Sequence, residues 1–229
     1  MNKPNARFIA RATVNAKPVE LKNHWLVLKS DSPGTCQITV NTKVNRLDKV
    51  ALDLGWGDMV DRVFIGYVER VMPAVNGWYT LFCRELAASL AFNLSVMLRH
   101  PTMRQVLDEV TKQTGLDFVV PDKAYSETAI PCFYCDGSGY EILDNIGRAY
   151  QIPDFIWHQQ GNGKIYIGSY QDSFWHDKPV VIPTSMMTNH QVGRTATMPA
   201  TPMVRPHVTA NNERIKSVEF RQTQMIISW

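Results

Sequence analysis

Over the first hundred residues, apolar and polar side chains alternate at the spacing of strands. In "RFIARATV" Phe8, Ala10, Ala12 and Val14 share one face, and in "CQITVN" Cys36, Ile38 and Val40 alternate with Gln37, Thr39 and Asn41, the period of a half-buried strand. Between Val63 and Leu86 the order is strand, "PAVNGW", strand, and Asn76-Gly77 supplies the positive backbone dihedrals of a tight hairpin turn. "LAASLAFNL" fits a helix or a closing strand equally well. Short strands and short turns predict a small β-barrel-like domain over residues 1–100.

The period changes after residue 100. Thr102 opens a T-x-x-Q capping box with Gln105; Met103, Val106, Leu107 and Val110 recur at helical spacing, and Gly115 stands where a left-handed cap ends the helix. After an extended "DFVVP", Ser138 opens a second box with Glu141, and Tyr140, Leu143, Ile146 and Tyr150 supply the stripe of a second helix. "FIWHQQGNGKIYIGSY" reads as a hairpin turning at Asn162-Gly163. Residues 101–170 therefore form a two-helix α+β module. From Gln171 to Pro206 the chain is rich in Pro, Thr and Met, an irregular arm. "RIKSVEF" and "MIISW" then look like paired strands with Met225, Ile227 and Trp229 on one face. The class is α+β, mainly β: two small β-barrel-like domains, 1–100 and 171–229, with the two-helix module between them. An apolar closing strand needs a surface to pack against, which makes Met225, Ile227 and Trp229 the candidate assembly interface.

Charge refines this division. The formal net charge of +3 in 229 residues, without a Lys/Arg run, is a poor footprint for a nucleic-acid binder. Residues 1–100 carry 13 Lys+Arg against 8 Asp+Glu, residues 101–170 carry 5 against 9, and residues 171–229 carry 6 against 4. Opposite signs on successive units favour register between neighbouring subunits more than raw affinity. With no run of about 18 apolar residues and no secretory-type leader, neither a membrane span nor export is expected, which points to a reducing cytoplasm.

The most conspicuous chemical motif is "IPCFYCDGSG", a CxxCxGxG containing Cys132 and Cys135. A structural zinc needs four ligands, commonly two such pairs, and there is one copy. Cys36 and Cys83 fall on apolar strand faces, where a free cysteine acts as a small hydrophobe. His158 and His176, each after a tryptophan, are too distant in sequence to complete a familiar zinc pattern. A redox CxxC belongs at a helix N-terminus, whereas this pair lies in an extended segment ahead of a helix that starts at Gly139. Cys132 and Cys135 are therefore read as strand-end side chains, and Gly137-Ser138-Gly139 as the turn that lets Ser138 cap the helix. No H-E-x-x-H, G-x-S-x-G or phosphate-loop fingerprint is present. No catalytic, cofactor-binding or metal-binding residue is assigned. The alternatives are a small thiol or metal enzyme centred on Cys132 and Cys135, and a glycan-binding module using tryptophans such as Trp56, Trp78 and Trp175.

"FIGYVERVMPAVNGWYTLFCRELAASL" resembles the end of the first domain in the central hub proteins of phage tails, the late-control D family related to the spike base of type VI secretion. Phe64, Gly66, Val68, Arg84 and Leu90 occupy the matching positions. "TMRQVLDEVTKQTGLDF" and "SGYEILDNIGRAYQIPDFIWHQQGNGKIYIG" look like the helix-strand module of such hubs, and "ERIKSVEFRQTQMIISW" resembles the strands that close their second barrel. The resemblance implies a structural, non-enzymatic virion protein: a homotrimeric baseplate or tip hub whose six barrels imitate the six-fold tail tube. It implies as partners the tail tube or distal tail protein, a spike or tip protein and a tape measure protein, with assembly in the host cytoplasm and residence in the virion tail. A chain ending at Trp229 leaves no room for a β-helical spike, so the spike is expected as a separate chain.

Overall fold

A computed structural model describes residues 7–191 and 194–229. The first stretch is strand apart from short 3-10 turns: β1 (Phe8–Val14), β2 (Lys17–Val19), β3 (Leu21–Lys29), β4 (Thr35–Val40), β5 (Lys49–Trp56), β6 (Met59–Pro73), β7 (Tyr79–Glu85) and β8 (Asn93–Arg99). The turn after β6 carries Asn76 and Gly77 at φ 59° and 78°, the left-handed pair expected from "NG". "LAASLAFNL" does both of the things it could do. Leu86–Ala91 is a 3-10 turn, and β8 then begins at Asn93.

The middle of the chain holds α1 (Met103–Thr114), β9 (Phe118–Val119), α2 (Ala124–Glu127), β10 (Cys132–Ser138), α3 (Gly139–Ala149), β11 (Phe155–Gln159) and β12 (Ile165–Ser169). Both capping boxes form. The Thr102 hydroxyl accepts from Gln105 N–H while the Gln105 side chain accepts from Thr102 N–H, and Ser138 and Glu141 make the same exchange. Gly115 closes α1 at φ 71°. Val106, Val110, Ile142, Leu143 and Ile146 are fully buried, so the apolar stripes of α1 and α3 meet in one core against the ribbon of β8 and β10. The single-turn helix α2 is additional to the two helices expected from the sequence.

The remainder supplies β13 (Thr188–Gln191), β14 (Thr195–Pro199), β15 (Thr209–Ala210), β16 (Glu213–Arg214), β17 (Ser217–Arg221) and β18 (Gln224–Ser228). Strand outweighs helix, 47% to 19%, which makes the class α+β, mainly β. The barrel-like expectation needs correction, because the sheets are not closed barrels. Among the described residues, strands from both ends of the chain instead share one eleven-stranded sheet, in the order β13-β14-β18-β17-β3-β4-β7-β6-β5-β1-β2. The joint is an antiparallel ladder of β17 on β3, running from Ser217 opposite Lys29 to Arg221 opposite Trp25. Alternation along each strand reads locally as a small barrel wall, but it carries no information about which distant strand pairs with which.

The β11–β12 hairpin lies close on β6. A Cβ added at Gly161 would sit 2.1 Å from the Arg62 carbonyl oxygen, and backbone cannot yield there as a flexible side chain can. Gly161→Ala is therefore expected to destabilise the protein by about 1–3 kcal/mol, seen as a lower urea midpoint with an unchanged slope. An unaltered midpoint would mean that this approach is not needed.

Candidate functional site

Cys132 and Cys135 lie three residues apart on β10, where alternation sends them to opposite faces: Cys132 is exposed and Cys135 is buried. The Cys135 sulfur accepts from Asn145 Nδ2 at 3.2 Å. Cys36 and Cys83 are cross-strand partners in the β4–β7 ladder, both buried and free. Burial holds the Cys36 thiol well above its ordinary pKa and pushes Cys83 up to about 12, so neither is a ready nucleophile. His158 is buried with its ring edge-on to Trp175 at 5.5 Å and His207 at 5.4 Å, whereas the exposed His176 faces the Asp177 carboxylate at 2.8 Å. Among the described residues no three His, Cys, Asp or Glu side chains converge as metal ligands. The tryptophans form no common platform either. Trp175 is buried, and Trp56 is half-buried and donates to Ala200 O at 2.7 Å.

Met225 and Ile227 are both fully buried in the chain's own core, and Trp229 packs against that core while donating to Ala210 O at 3.2 Å. β18 lies between β14 and β17 in the sheet. These three residues therefore hold the end of the sheet together from within.

What sequence reasoning missed is a buried polar junction between parts of the chain far apart in sequence. Gln159 on β11 accepts from Ala87 N–H at 2.8 Å and donates to Ile65 O at 2.9 Å. Arg205 donates to Val63 O at 2.8 Å and, more weakly, to Gln159 O at 3.5 Å. Glu85, at the end of β7, accepts from Gly34 N–H at 2.6 Å. Burial raises the Glu85 carboxyl to about 7, partly offset by that hydrogen bond and by the Arg205 charge. Burial likewise lowers Arg205 from its ordinary value, with Glu85 opposing. A signal for Glu85 does exist: it continues the apolar face of Leu81 and Cys83. Arg205, in "MVRPH", has no such period. A second tie links β16 to the module, where Arg214 grips the Asp154 carboxylate at 3.1 and 2.6 Å and lies 3.5 Å over the Tyr170 ring.

The outer face is shallowly concave. One cleft of about 140 Å³ runs beside Trp25, Gln37, Phe82 and Arg84, and another of about 510 Å³ lies among Arg46, Leu47, Tyr67, Phe92 and Tyr140. Glu69 and Arg84 line both and form an ion pair at 3.1 Å. Both clefts open to solvent.

Comparison with solved structures locates this architecture. The 43 kDa tail protein of prophage MuSo2 from Shewanella oneidensis superposes over 97% of this chain and 98% of its own, with a TM-score of 0.69 at 11% identity. A tail protein from Neisseria meningitidis MC58 matches over 96% of this chain and 95% of its own, with a TM-score of 0.65 at 10% identity. The chain has the fold of phage tail proteins. The same fold appears in the E. coli c3393 protein, a type VI secretion component with structural similarity to the T4 tail proteins gp27 and gp5, at a TM-score of 0.62 and 10% identity over 95% of this chain and 75% of that one. In sequence the chain is 33% identical, over 223 residues, to an uncharacterised 58.7 kDa protein in the lys 3' region of Haemophilus phage HP1 (strain HP1c1). The match covers 97% of this chain, which spans 42% of that relative's length. No protein-family model matches. No helix among the described residues is long and apolar enough to cross a membrane.

Two outcomes test the roles of the cysteine pair and of Glu85. Replacing Cys132 and Cys135 together with serine is expected to cost about 1–3 kcal/mol and to leave the chain folded; unfolding with release of a metal would contradict it. Glu85, with its native pKa raised from 4.5 to about 7, contributes stability that is complete below pH 4.5 and is lost as the pH rises through 7. The stability of Glu85→Gln relative to the parent should therefore rise across that window, by on the order of 1–3 kcal/mol, in urea titrations at pH 5 and pH 8. A difference independent of pH would show that Glu85 is not held in its neutral form.

Proposed function

We propose that this chain is a structural protein of a phage tail and acts as the central hub of its baseplate or tip, adapting a six-fold tube to a three-fold spike or tip complex. The observation that carries the proposal is the shared fold: a single superposition runs through the strand-rich ends and the α+β module of known tail proteins, with the type VI component built likewise. Its role is mechanical rather than catalytic, and its work is done by interfaces. The units 1–100, 101–170 and 171–229 serve as its working parts, with strand-rich material at both ends and the two-helix module between.

The eleven-stranded sheet ends in β2 on one side and β13 on the other. Natural proteins cover or pair such edges, and a head-to-tail contact that closes on itself satisfies every copy at once. A homotrimer is the proposed assembly, with the tail tube or distal tail protein above, a spike or tip protein below and a tape measure protein as a further contact. The place of the chain is the virion tail, reached after assembly in the host cytoplasm. Met225, Ile227 and Trp229 enter this scheme indirectly, by fixing the sheet end that carries β14 and β13.

Imaging of the purified protein by negative-stain microscopy is expected to show a three-fold ring whose stability falls with added salt. A protein that stays monomeric at high concentration, with no tail partner able to assemble it, would refute the hub assignment. Deleting residues 224–229 removes β18 and should leave aggregated or dissociated protein that keeps the helical circular dichroism of α1 and α3. A fully assembled deletion would show that the strand is dispensable.

A further inference from the structure

The tip of the β5–β6 hairpin and the larger outer cleft are complementary, and they lie on different parts of the same strand. At the tip, Gly57 takes φ 59° and Asp58 completes a two-residue turn between Trp56 and its partner Met59. Met59 is 68% exposed, and Asp61, two residues on and therefore on the same side of the strand, is also exposed. Nearby Arg62 is held by Asp53 at 2.7 Å, whereas Asp58 and Asp61 take part in none of the ion pairs among the described residues. The tip thus presents one large apolar side chain beside two carboxylates.

The cleft offers the converse. Leu47 and Phe92, 64% and 70% exposed, stand on its walls. Leu47 is held at φ 72°, a left-handed conformation that a branched apolar residue rarely adopts. Its N–H is pinned to Val68 O at 2.8 Å. Backbone strain retained to present an apolar side chain to the surface points to use of that side chain. Arg46 lines this cleft and the adjoining one, where Arg70 lies over Phe82 at 4.5 Å. Neither arginine has an ion-pair partner among the described residues, while Glu69 is already committed to Arg84. The net demand of the cleft is therefore for an apolar group flanked by negative charge.

We infer that the cleft receives the Asp58–Met59 tip of a second copy of this chain. Met59 and Tyr67 are eight residues apart on β6, roughly 25 Å along an extended strand, so tip and cleft of one copy cannot meet each other. Because the two surfaces differ, the contact is heterologous and propagates head to tail, which is the geometry that closes a ring. The inference rests on the hub assignment for the closure of that ring, and it adds a side-chain contact to the edge pairing which that assignment invokes.

Charge reversal decides it. Asp58→Arg with Asp61→Arg, or Arg46→Glu with Arg70→Glu, should each weaken self-association in sedimentation velocity by about tenfold or more. All four changes in one chain should restore it, which also shows that the variants fold. Assembly unaffected by either pair would overturn this contact and leave the hub assignment standing, and failure of the fourfold variant to recover where both pairs dissociate would overturn it too. A parent chain that never self-associates, alone or with tail partners, would overturn both.

Discussion

The ladder between β3 and β17 is the interaction on which the rest of the sheet depends. Without it β17, β18, β14 and β13 would form a separate small sheet, and the strands of the N-terminal part would end at a bare β3. Backbone pairing of Ser217–Arg221 with Trp25–Lys29 makes the two one surface, reinforced on the outside by the Trp25 indole donating to Glu219 at 2.6 Å and on the inside by Leu26, Leu28, Val218 and Phe220, all fully buried. A central strand with one wet face and one dry face has its register fixed, because a slip by one residue would turn every buried side chain outward. Phe220 and Leu26 are directly opposite, so the largest buried side chain of the joint helps to lock that register.

The polar junction of Gln159, Arg205 and Glu85 does a different kind of work. Apolar packing between the module and the sheet is non-directional and tolerates small rotations, whereas a glutamine that satisfies Ala87 N–H and Ile65 O together does so in one orientation. Leaving a buried donor or acceptor unpaired costs about 1–3 kcal/mol, and Gln159 would leave one at each end. Arg205 adds a strut from the arm to the β6 backbone. The junction therefore fixes orientation, and the hydrophobic cores around it supply most of the cohesion.

The parts of this architecture that were legible in the sequence are local ones. Thr102 with Gln105 and Ser138 with Glu141 are three residues apart, and Asn76-Gly77 and Asn162-Gly163 are neighbours, so each carries its physics within one turn. The dismissal of Cys132 and Cys135 as a helix-terminal redox pair also rested on local order, with the pair in an extended segment ahead of α3. The single large sheet was not legible. Alternation in "SVEF" and in "HWLVL" says that each strand has a dry face, but not that they lie side by side. Arg205 was invisible for the same reason, since its partners, the carbonyls of Val63 and Gln159, belong to backbone that any sequence would provide.

Trp25 and Glu219 are 194 residues apart, and that separation has a temporal side. A chain emerging from the ribosome at about 5–20 residues per second presents β3 some 10–40 seconds before β17 exists to cover it. During that interval the edge of β3 is open to any other extended segment in the cell. The α1–α3 module, whose contacts are short in sequence, can fold meanwhile, but it offers β3 no partner. The most exposed moment in the life of this protein thus comes during its synthesis, and the hazard falls on the strand that later bears the most weight.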